Sequence, residues 1–132
     1  MRILVIDDDY TCRVQTKAIL GEYGDCDGAP CGPIGLELFK RAHGELHPYQ
    51  LVVLDVEMPD MDGLEVLSEL RRWEEQHDCF QEGRAAKVMM LSAHDDGRTV
   101  LTSFSSGCEV YLVKPLSPKK LAEALTNAGL NA

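Results

Sequence analysis

Residues 51–63 read LVVLDVEMPDMDG, and this stretch decides the fold that the rest of the chain is expected to adopt. Four apolar residues end abruptly at Asp55, and a Met58-Pro59 step and Gly63 follow. A short apolar run without alternation, closed by proline and glycine, is typical of a strand buried on both faces of a parallel sheet. Asp55 is therefore predicted at the carboxyl end of this strand, the edge at which open α/β sheets bind ligands. Taken alone, the same acid could equally begin a turn.

Length, charge and cysteine content restrict the class of protein. The chain has 132 residues and a formal net charge of -9, and 45% of it is hydrophobic, which predicts a single soluble domain over 1–132. The acidic balance argues against nucleic acid or an anionic membrane as the main partner, because both attract basic surfaces. No apolar stretch approaches the ~18 residues of a membrane span, and no secretory signal is evident. The five cysteines are therefore expected to be reduced thiols in the cytoplasm.

Four other segments complete a repeating pattern of strands and helices. Further strands are predicted at 2–7, 26–30, 87–93 and 109–113. The segment 26–30 is a weak candidate for an edge position, because it contains glycine and proline. Helices are predicted after each strand: over 10–23, from Pro33, from Leu64 toward Trp73, before Gly107 and from Pro118. Five β-α units with short connections predict a parallel sheet with helices on both faces.

Apolar spacing also predicts which side of each helix faces the sheet. The second, third and fifth helices each carry a clear stripe, formed by Leu36, Leu38, Phe39 and Ala42, by Leu64, Val66, Leu67 and Leu70, and by Leu121, Ala124, Leu125 and Ala128. The first helix is expected to face inward through Cys12, Val14, Ala18 and Ile19, with Leu20 outside the stripe, and the fourth through Val100, Leu101 and Phe104.

Polar side chains stand at the ends of four predicted strands: Asp7 and Asp8 after the first, Asp55 after the third, Ser92 after the fourth and Lys114 after the fifth. All should point into one crevice above the sheet. Grouped carboxylates can hold a hard divalent ion such as Mg²⁺, and a carboxylate can itself be a nucleophile that becomes an aspartyl phosphate. A cation and a hydroxyl donor then suit the charge of a transferred phosphoryl group.

Four motifs give the chain a resemblance to a known family. In order they are ILVIDDD (3–9), LDVEMPDMDG (54–63), MLSA (90–93) and YLVKP (111–115). Together they resemble the receiver domain of two-component response regulators over residues 2–128. The resemblance implies a flavodoxin-like, doubly wound (βα)5 fold, in which a five-stranded parallel sheet in order 2-1-3-4-5 has helices on both faces.

The resemblance also implies a role for each acid at the strand ends. Asp55 would accept a phosphoryl group from a sensor histidine kinase or a histidine phosphotransferase. Asp7 and Asp8, with Asp55 and the main-chain carbonyl of Glu57, would hold Mg²⁺, with Mn²⁺ as a possible substitute. Lys114 would pair with a phosphoryl oxygen. The protein would then be a signalling phosphoacceptor that catalyses only its own phosphorylation and dephosphorylation.

A switch is implied by two further residues. Ser92 would donate its hydroxyl to the phosphoryl group and shift toward it, and Tyr111 would turn inward as it does so. Phosphorylation would thereby change the surface made by the fourth helix, the fifth strand and the fifth helix, where a downstream protein partner would bind. The protein would be a monomer or a phosphorylation-dependent dimer, and the Lys114-Pro115 peptide is often cis in this family.

The sequence departs from the family pattern in three places and carries distinctive residues at two variable positions. Serine stands at position 92, where threonine is commoner, although the hydroxyl is kept. The segment 26–33 is rich in glycine and proline, and the segment 64–86 is longer than usual. Glu57 and His94 occupy two variable positions that, in this family, help to set the lifetime of the phosphoryl group.

Two alternatives remain open from the residues. A haloacid-dehalogenase-type phosphatase would use Asp7 of VIDDDYT (5–11) as nucleophile and Asp9 as acid/base. That family needs two more acids after its lysine, whereas this chain has one acid after Lys114, and Asp55 would be left without a role. The second alternative is a pseudo-receiver, an interaction module that works without phosphorylation.

Overall fold

Five strands alternate with five helices in the computed structural model, which describes residues 1–130 of the chain. The elements are β1 (Arg2–Ile6), α1 (Tyr10–Leu20), β2 (Asp25–Ala29), α2 (Gly32–Gly44), β3 (Leu51–Asp55), α3 (Gly63–Gln76), β4 (Lys87–Ser92), α4 (Gly97–Ser105), β5 (Val110–Val113) and α5 (Pro118–Asn127). All strand pairs are parallel, and the order is β2-β1-β3-β4-β5. The flavodoxin-like fold and the strand order predicted from the resemblance are therefore confirmed.

The sheet is covered on both faces, which explains why its inner strands are continuously apolar. On one face α2 and α3 pack through Phe39, Leu67 and Leu70 against alternate residues of β1, β3 and β4. On the other face Leu20 of α1 and Leu121 of α5 pack against the remaining residues of the same strands. Because every residue of β3 is buried, this strand has apolar neighbours on both sides up to its terminal acid.

The weak second strand is confirmed at the sheet edge. Residues 25–29 pair with β1 alone, and Ala29 is the one fully buried residue among the five. Pro33 lies in the first turn of α2, as predicted. Proline suits that position because the first amide groups of a helix lack intrahelical acceptors.

The predicted inward side of α1 is wrong for Val14 and Ala18, although Ile19 does pack against the core. Thr16 and Leu20 are the buried residues of this helix, whereas Val14 is 46% exposed and Ala18 is also exposed. Thr16 and Leu20 are one turn apart and therefore share a face. The apolar stripe misled because a threonine, with its small methyl-bearing side chain, occupies an inward position.

The predicted inward side of α4 is also wrong. Leu101 is 72% exposed and Phe104 is 47% exposed, while Ser103 is the buried residue of the helix. The Ser103 hydroxyl donates to the Thr99 carbonyl at 2.8 Å, so its burial leaves no unpaired polar group. Leu101 then lies about 160° around the helix from Ser103, which leaves it in solvent.

The long segment after α3 is held against the domain by polar contacts. Glu74, fully buried, accepts from the Ala86 amide at 2.7 Å and from Arg71 Nη1 at 2.6 Å.

Farther along the same segment, Arg84 Nη1 lies 3.0 Å from Nδ1 of the buried His43, which also packs against Trp73. The predicted loop at 77–83 is formed by turns in which Cys79 is buried. None of the helices in the described range is both long and apolar enough to cross a membrane.

Candidate functional site

Three carboxylates meet at the carboxyl edge of the sheet. Asp55 is the last residue of β3, and Asp7 follows β1, the neighbouring strand. Both are buried, at 3% and 2% exposure, whereas Asp8 is exposed. One oxygen of each of the three side chains lies within 4.8 Å of the others. The strand topology thus brings together the acids that the sequence placed at separate strand ends.

Lys114 lies between the two buried acids. Its Nζ atom is 3.2 Å from Oδ1 of Asp55 and 3.3 Å from Oδ2 of Asp7. The Lys114 amide donates to the Ser92 carbonyl at 2.7 Å, which joins the ends of β5 and β4. The Lys114-Pro115 peptide is cis, as expected from the resemblance.

The electrostatics of the crevice are unfavourable to its own carboxylates. Burial, and then the negative charge of Asp7, raise the pKa of Asp55 to about 7, although Lys114 opposes the shift. Burial alone would lower the pKa of Lys114, but the charges of Asp55 and Asp7 outweigh it and raise that pKa. The crevice thus groups three carboxyl groups around one ammonium group, which contacts Asp7 and Asp55.

The donor set fits a hard divalent cation. Carboxylate and carbonyl oxygens are the ligands that Mg²⁺ prefers, and Mg²⁺ commonly combines one or two carboxylates with water and phosphate oxygens. Asp7 and Asp55 offer buried oxygens, while the exposed Asp8 marks the side open to solvent. A cation there would also offset the repulsion that raises the pKa of Asp55.

The loop after β3 folds back over the strand end. The Gly63 amide donates to the Val56 carbonyl at 3.0 Å, and a Cβ atom at Gly63 would lie 2.4 Å from the Asp55 carbonyl oxygen. Asp62 caps α3 by accepting from the Glu65 amide at 2.9 Å. The absence of a side chain at Gly63 thus allows α3 to begin directly against the Asp55 strand.

Ser92 is fully buried at the end of β4, and its contacts involve a residue that the sequence assigned another role. The Ser92 hydroxyl donates to Oε2 of Glu57 at 2.7 Å and accepts from the His94 amide at 3.0 Å. Oε1 of Glu57 accepts from the Ala93 amide, also at 2.7 Å. The Glu57 amide in turn lies 3.3 Å from Oδ1 of Asp55. Glu57 therefore links the acid of β3 to the hydroxyl of β4.

Tyr111 is partly buried on β5 and contacts the same loop. Its hydroxyl donates to the His94 carbonyl at 3.2 Å, and its ring packs against the apolar cluster beneath α2 and α3. Two residues before that carbonyl is Ser92, so Tyr111 and Ser92 are joined through the chain at 92–94.

Two contributors to the site were missed in the sequence. One is the Glu57 side chain, because residue spacing does not reveal which way a loop side chain turns. The other is Arg13, whose Nη1 atom donates to the Asp7 carbonyl at 2.7 Å. The sequence does contain a signal for Arg13, namely the helix cap at Asp9, which accepts from the Cys12 amide. Because helical side chains lean toward the amino end of the helix, Arg13 is directed toward β1.

The chain matches known proteins over nearly its whole length. A family model described as the response regulator receiver domain matches residues 3–126. The chain is 36% identical over 122 residues to the probable transcriptional regulator ycf27 of Porphyridium aerugineum, covering 91% of this chain but 44% of that protein. It is 30% identical over 128 residues to the chemotaxis protein CheY of Listeria monocytogenes, covering 97% of this chain and 98% of that protein.

A solved structure supports the same relationship. The response regulator protein TrrA from Thermotoga maritima, in complex with Mg(2+)-BeF, is 33% identical with a TM-score of 0.75. The alignment covers 96% of this chain and 97% of TrrA. These similarities give no support to the phosphatase alternative.

Proposed function

Since this chain belongs to the response regulator receiver domain family, we propose that it is a signalling switch whose phosphoryl acceptor is Asp55. The observation that carries the proposal is the position of Lys114 Nζ, 3.2 Å from Asp55 and 3.3 Å from Asp7. A buried acid that faces both a fixed ammonium group and a cation-binding carboxylate cluster is suited to receive a phosphoryl group.

Asp7, Asp8, Asp55 and the main-chain carbonyl of Glu57 are the proposed ligands of Mg²⁺, and Mn²⁺ would be accepted as well. The proposal is supported by the carboxylate oxygens within 4.8 Å of one another. When bound, the cation would neutralise charge on the phosphoryl oxygens and on the acids. The relative TrrA is described in complex with Mg(2+)-BeF, which is consistent with such a site here.

In the proposed reaction a carboxylate oxygen of Asp55 forms a bond to phosphorus, and the bond from phosphorus to the donor's histidine nitrogen breaks. Lys114 then pairs with a phosphoryl oxygen, and the hydroxyl of Ser92 donates to another. Water later attacks the phosphorus, the bond from phosphorus to the Asp55 oxygen breaks, and inorganic phosphate leaves as the carboxylate is restored. The chain thus acts only on itself, and a sensor histidine kinase or histidine phosphotransferase supplies the phosphoryl group.

The proposed output is a change of the α4-β5-α5 face. Ser92 moves toward the phosphoryl group, and Tyr111 turns inward because the two are joined through the chain at 92–94. The exposed apolar side chains of Leu101 and Phe104 on α4 favour a downstream protein partner at this face. We further propose that the protein is cytoplasmic and is either a monomer or a dimer that forms on phosphorylation. Direct binding to nucleic acid or to a membrane is not expected, because the net charge is -9.

Incubation with acetyl phosphate, with and without Mg²⁺, followed by intact mass measurement tests the assignment. We expect a phosphoryl adduct that requires the metal and is absent from Asp55→Asn. An adduct that persists in that variant would overturn the role of Asp55. Peptide mapping to Asp7 would instead favour the phosphatase alternative, and a wild-type chain that never forms an adduct would favour a pseudo-receiver.

A further inference from the structure

We propose that Glu57 is a positioning residue that holds Ser92 in the unphosphorylated protein and must release it when Asp55 carries a phosphoryl group. The inference rests on the proposed function of Asp55. It assigns to the Glu57 side chain a role separate from that of its main-chain carbonyl. Glu57 would set how readily the switch responds.

The contact has two hydrogen bonds of the same length. Oε2 of Glu57 accepts from the Ser92 hydroxyl and Oε1 from the Ala93 amide, each at 2.7 Å. Both are charge-assisted, and bonds of that kind are shorter and stronger than those between neutral groups. The carboxylate therefore engages two neighbouring donors at the end of β4.

The donors have no hydrogen to spare. A serine hydroxyl carries one O–H, and a backbone amide carries one N–H. The Ser92 oxygen uses a lone pair to accept from the His94 amide at 3.0 Å, and its one hydrogen is given to Glu57. Ser92 cannot donate to a phosphoryl oxygen while it donates to Glu57.

A phosphoryl group on Asp55 would compete with Glu57 in two ways. It brings a charge of about -1.5 to -2 and three strong acceptor oxygens. Glu57 is two residues from Asp55, and its amide lies 3.3 Å from the Asp55 carboxylate. The new charge therefore repels the Glu57 carboxylate while its oxygens attract the same donors. Because Glu57 is exposed, the released carboxylate can be hydrated at little cost.

Coupling between two sites is reciprocal, so loss of the Glu57 contact must favour a phosphoryl group as much as the phosphoryl group disfavours the contact. The probe is beryllium trifluoride with saturating Mg²⁺, titrated by calorimetry. We expect Glu57→Ala to bind it about tenfold more tightly than wild type, a difference of about 1.4 kcal/mol. Glu57→Gln, whose amide keeps one acceptor oxygen, should show a smaller gain.

Two controls separate release of Ser92 from a general effect of charge. Asp60→Asn removes one negative charge from the same loop, and we expect affinity for the probe to stay within about twofold of wild type. In a Ser92→Ala background, Glu57→Ala should lose most of its gain. Equal gains in Asp60→Asn, or an undiminished gain in the Ser92→Ala background, would overturn the proposal. So would weaker binding by Glu57→Ala, which would identify the carboxylate as a metal ligand.

A second readout does not depend on phosphoryl chemistry. In the metal-free protein, the Ala93 amide proton should resonate upfield in Glu57→Gln relative to wild type, because a short bond to a carboxylate is replaced. An unchanged Ala93 resonance would overturn the contact itself. If wild type failed to bind the probe while the resonance shifted as expected, the proposed function would fail and the contact would stand.

Discussion

Lys114 Nζ lies 3.2 Å from Oδ1 of Asp55, although the two residues are 59 positions apart in the sequence. The contact joins the ends of β3 and β5, which are separated by β4 in the sheet. It pairs the proposed acceptor with a single positive charge. Loss of that charge is therefore expected to weaken phosphoryl transfer and to strengthen metal binding.

Replacing Lys114 by Gln should slow Asp55 phosphorylation by acetyl phosphate about tenfold, since one charge-assisted hydrogen bond to the phosphoryl group is lost. Mg²⁺ affinity should rise, because the ammonium group no longer competes for the carboxylates. A mass-spectrometric time course and calorimetric titration of Mg²⁺ measure the two effects. Lys40→Gln, an exposed substitution on α2, is the control and should change neither. Weaker Mg²⁺ binding in Lys114→Gln would contradict this account.

Replacing Asp7 by Asn should have opposite effects on stability with and without metal. In EDTA the free energy of unfolding of the variant should be about 1 kcal/mol higher than that of wild type, because the charge that helps to raise the pKa of Asp55 is removed. Mg²⁺ at ten times its Kd should stabilise wild type by about 1.4 kcal/mol and the variant hardly at all. Urea denaturation in each condition measures this. A variant less stable than wild type in EDTA would refute the expectation.

Replacing Gly63 by Ala should damage both the fold and the site. Its Cβ would lie 2.4 Å from the Asp55 carbonyl oxygen and 2.8 Å from Val56 Cα, and both neighbours are backbone atoms. We expect a loss of about 1–3 kcal/mol in the free energy of unfolding, together with slower phosphorylation of Asp55. Gly97→Ala is matched to it, because nothing lies within 4 Å of that added Cβ. The same loss in both variants would show that close approach is not the cause.

His43 should make the protein less stable as the solution is acidified. Burial, followed by the charges of Arg84 and His77, lowers the pKa of His43 from 6.5. Arginine can only donate, so Nδ1 accepts from Arg84 and the proton sits on Nε2, a buried atom without a partner among the described residues. The folded protein thus favours the neutral ring.

Below about pH 6.5 the unfolded chain protonates this histidine while the folded protein does not. The free energy of unfolding should therefore fall by up to about 1.4 kcal/mol per pH unit between there and the lowered pKa. Asp55 acts in the opposite direction, because its raised pKa favours the folded state as pH falls below about 7. The measure is therefore the difference between wild type and His43→Leu, compared by urea denaturation between pH 7.5 and about 5. His47→Gln, at an exposed site, is the control. A pH-independent difference would refute the role of His43.

The strand-end acids could be predicted because a parallel sheet directs the carboxyl ends of all its strands to one edge. The strand ends alone predict the positions of Asp7, Asp55 and Lys114, without any information on loop conformation. The structure brings these three residues together. The same rule does not predict the contact between Glu57 and Ser92, because Glu57 lies in the loop after β3 and its side chain reaches across to the end of β4.

The helix faces were predicted correctly for α2, α3 and α5, in which large apolar side chains form the buried stripe. Leu67 of α3 and Leu121 of α5 are fully buried, as expected. The prediction was wrong for α1, which buries Thr16 together with Leu20, a residue placed outside the stripe, and for α4, which buries Ser103. Small hydroxyl side chains can satisfy themselves against the preceding turn, as Ser103 does, and hydrophobic spacing cannot detect that.

The packing of α4 has a mechanical consequence. Its one buried side chain, that of Ser103, is small, whereas α3 buries Val66, Leu67 and Leu70. A change in the orientation of α4 would leave almost no cavity, because the only side chain it buries among the described residues is a serine. The free-energy cost of such a change is therefore small. If the proposed function holds, a displacement that begins at the Asp55 crevice is expected to tilt α4 as a rigid body while α2 and α3 keep their positions.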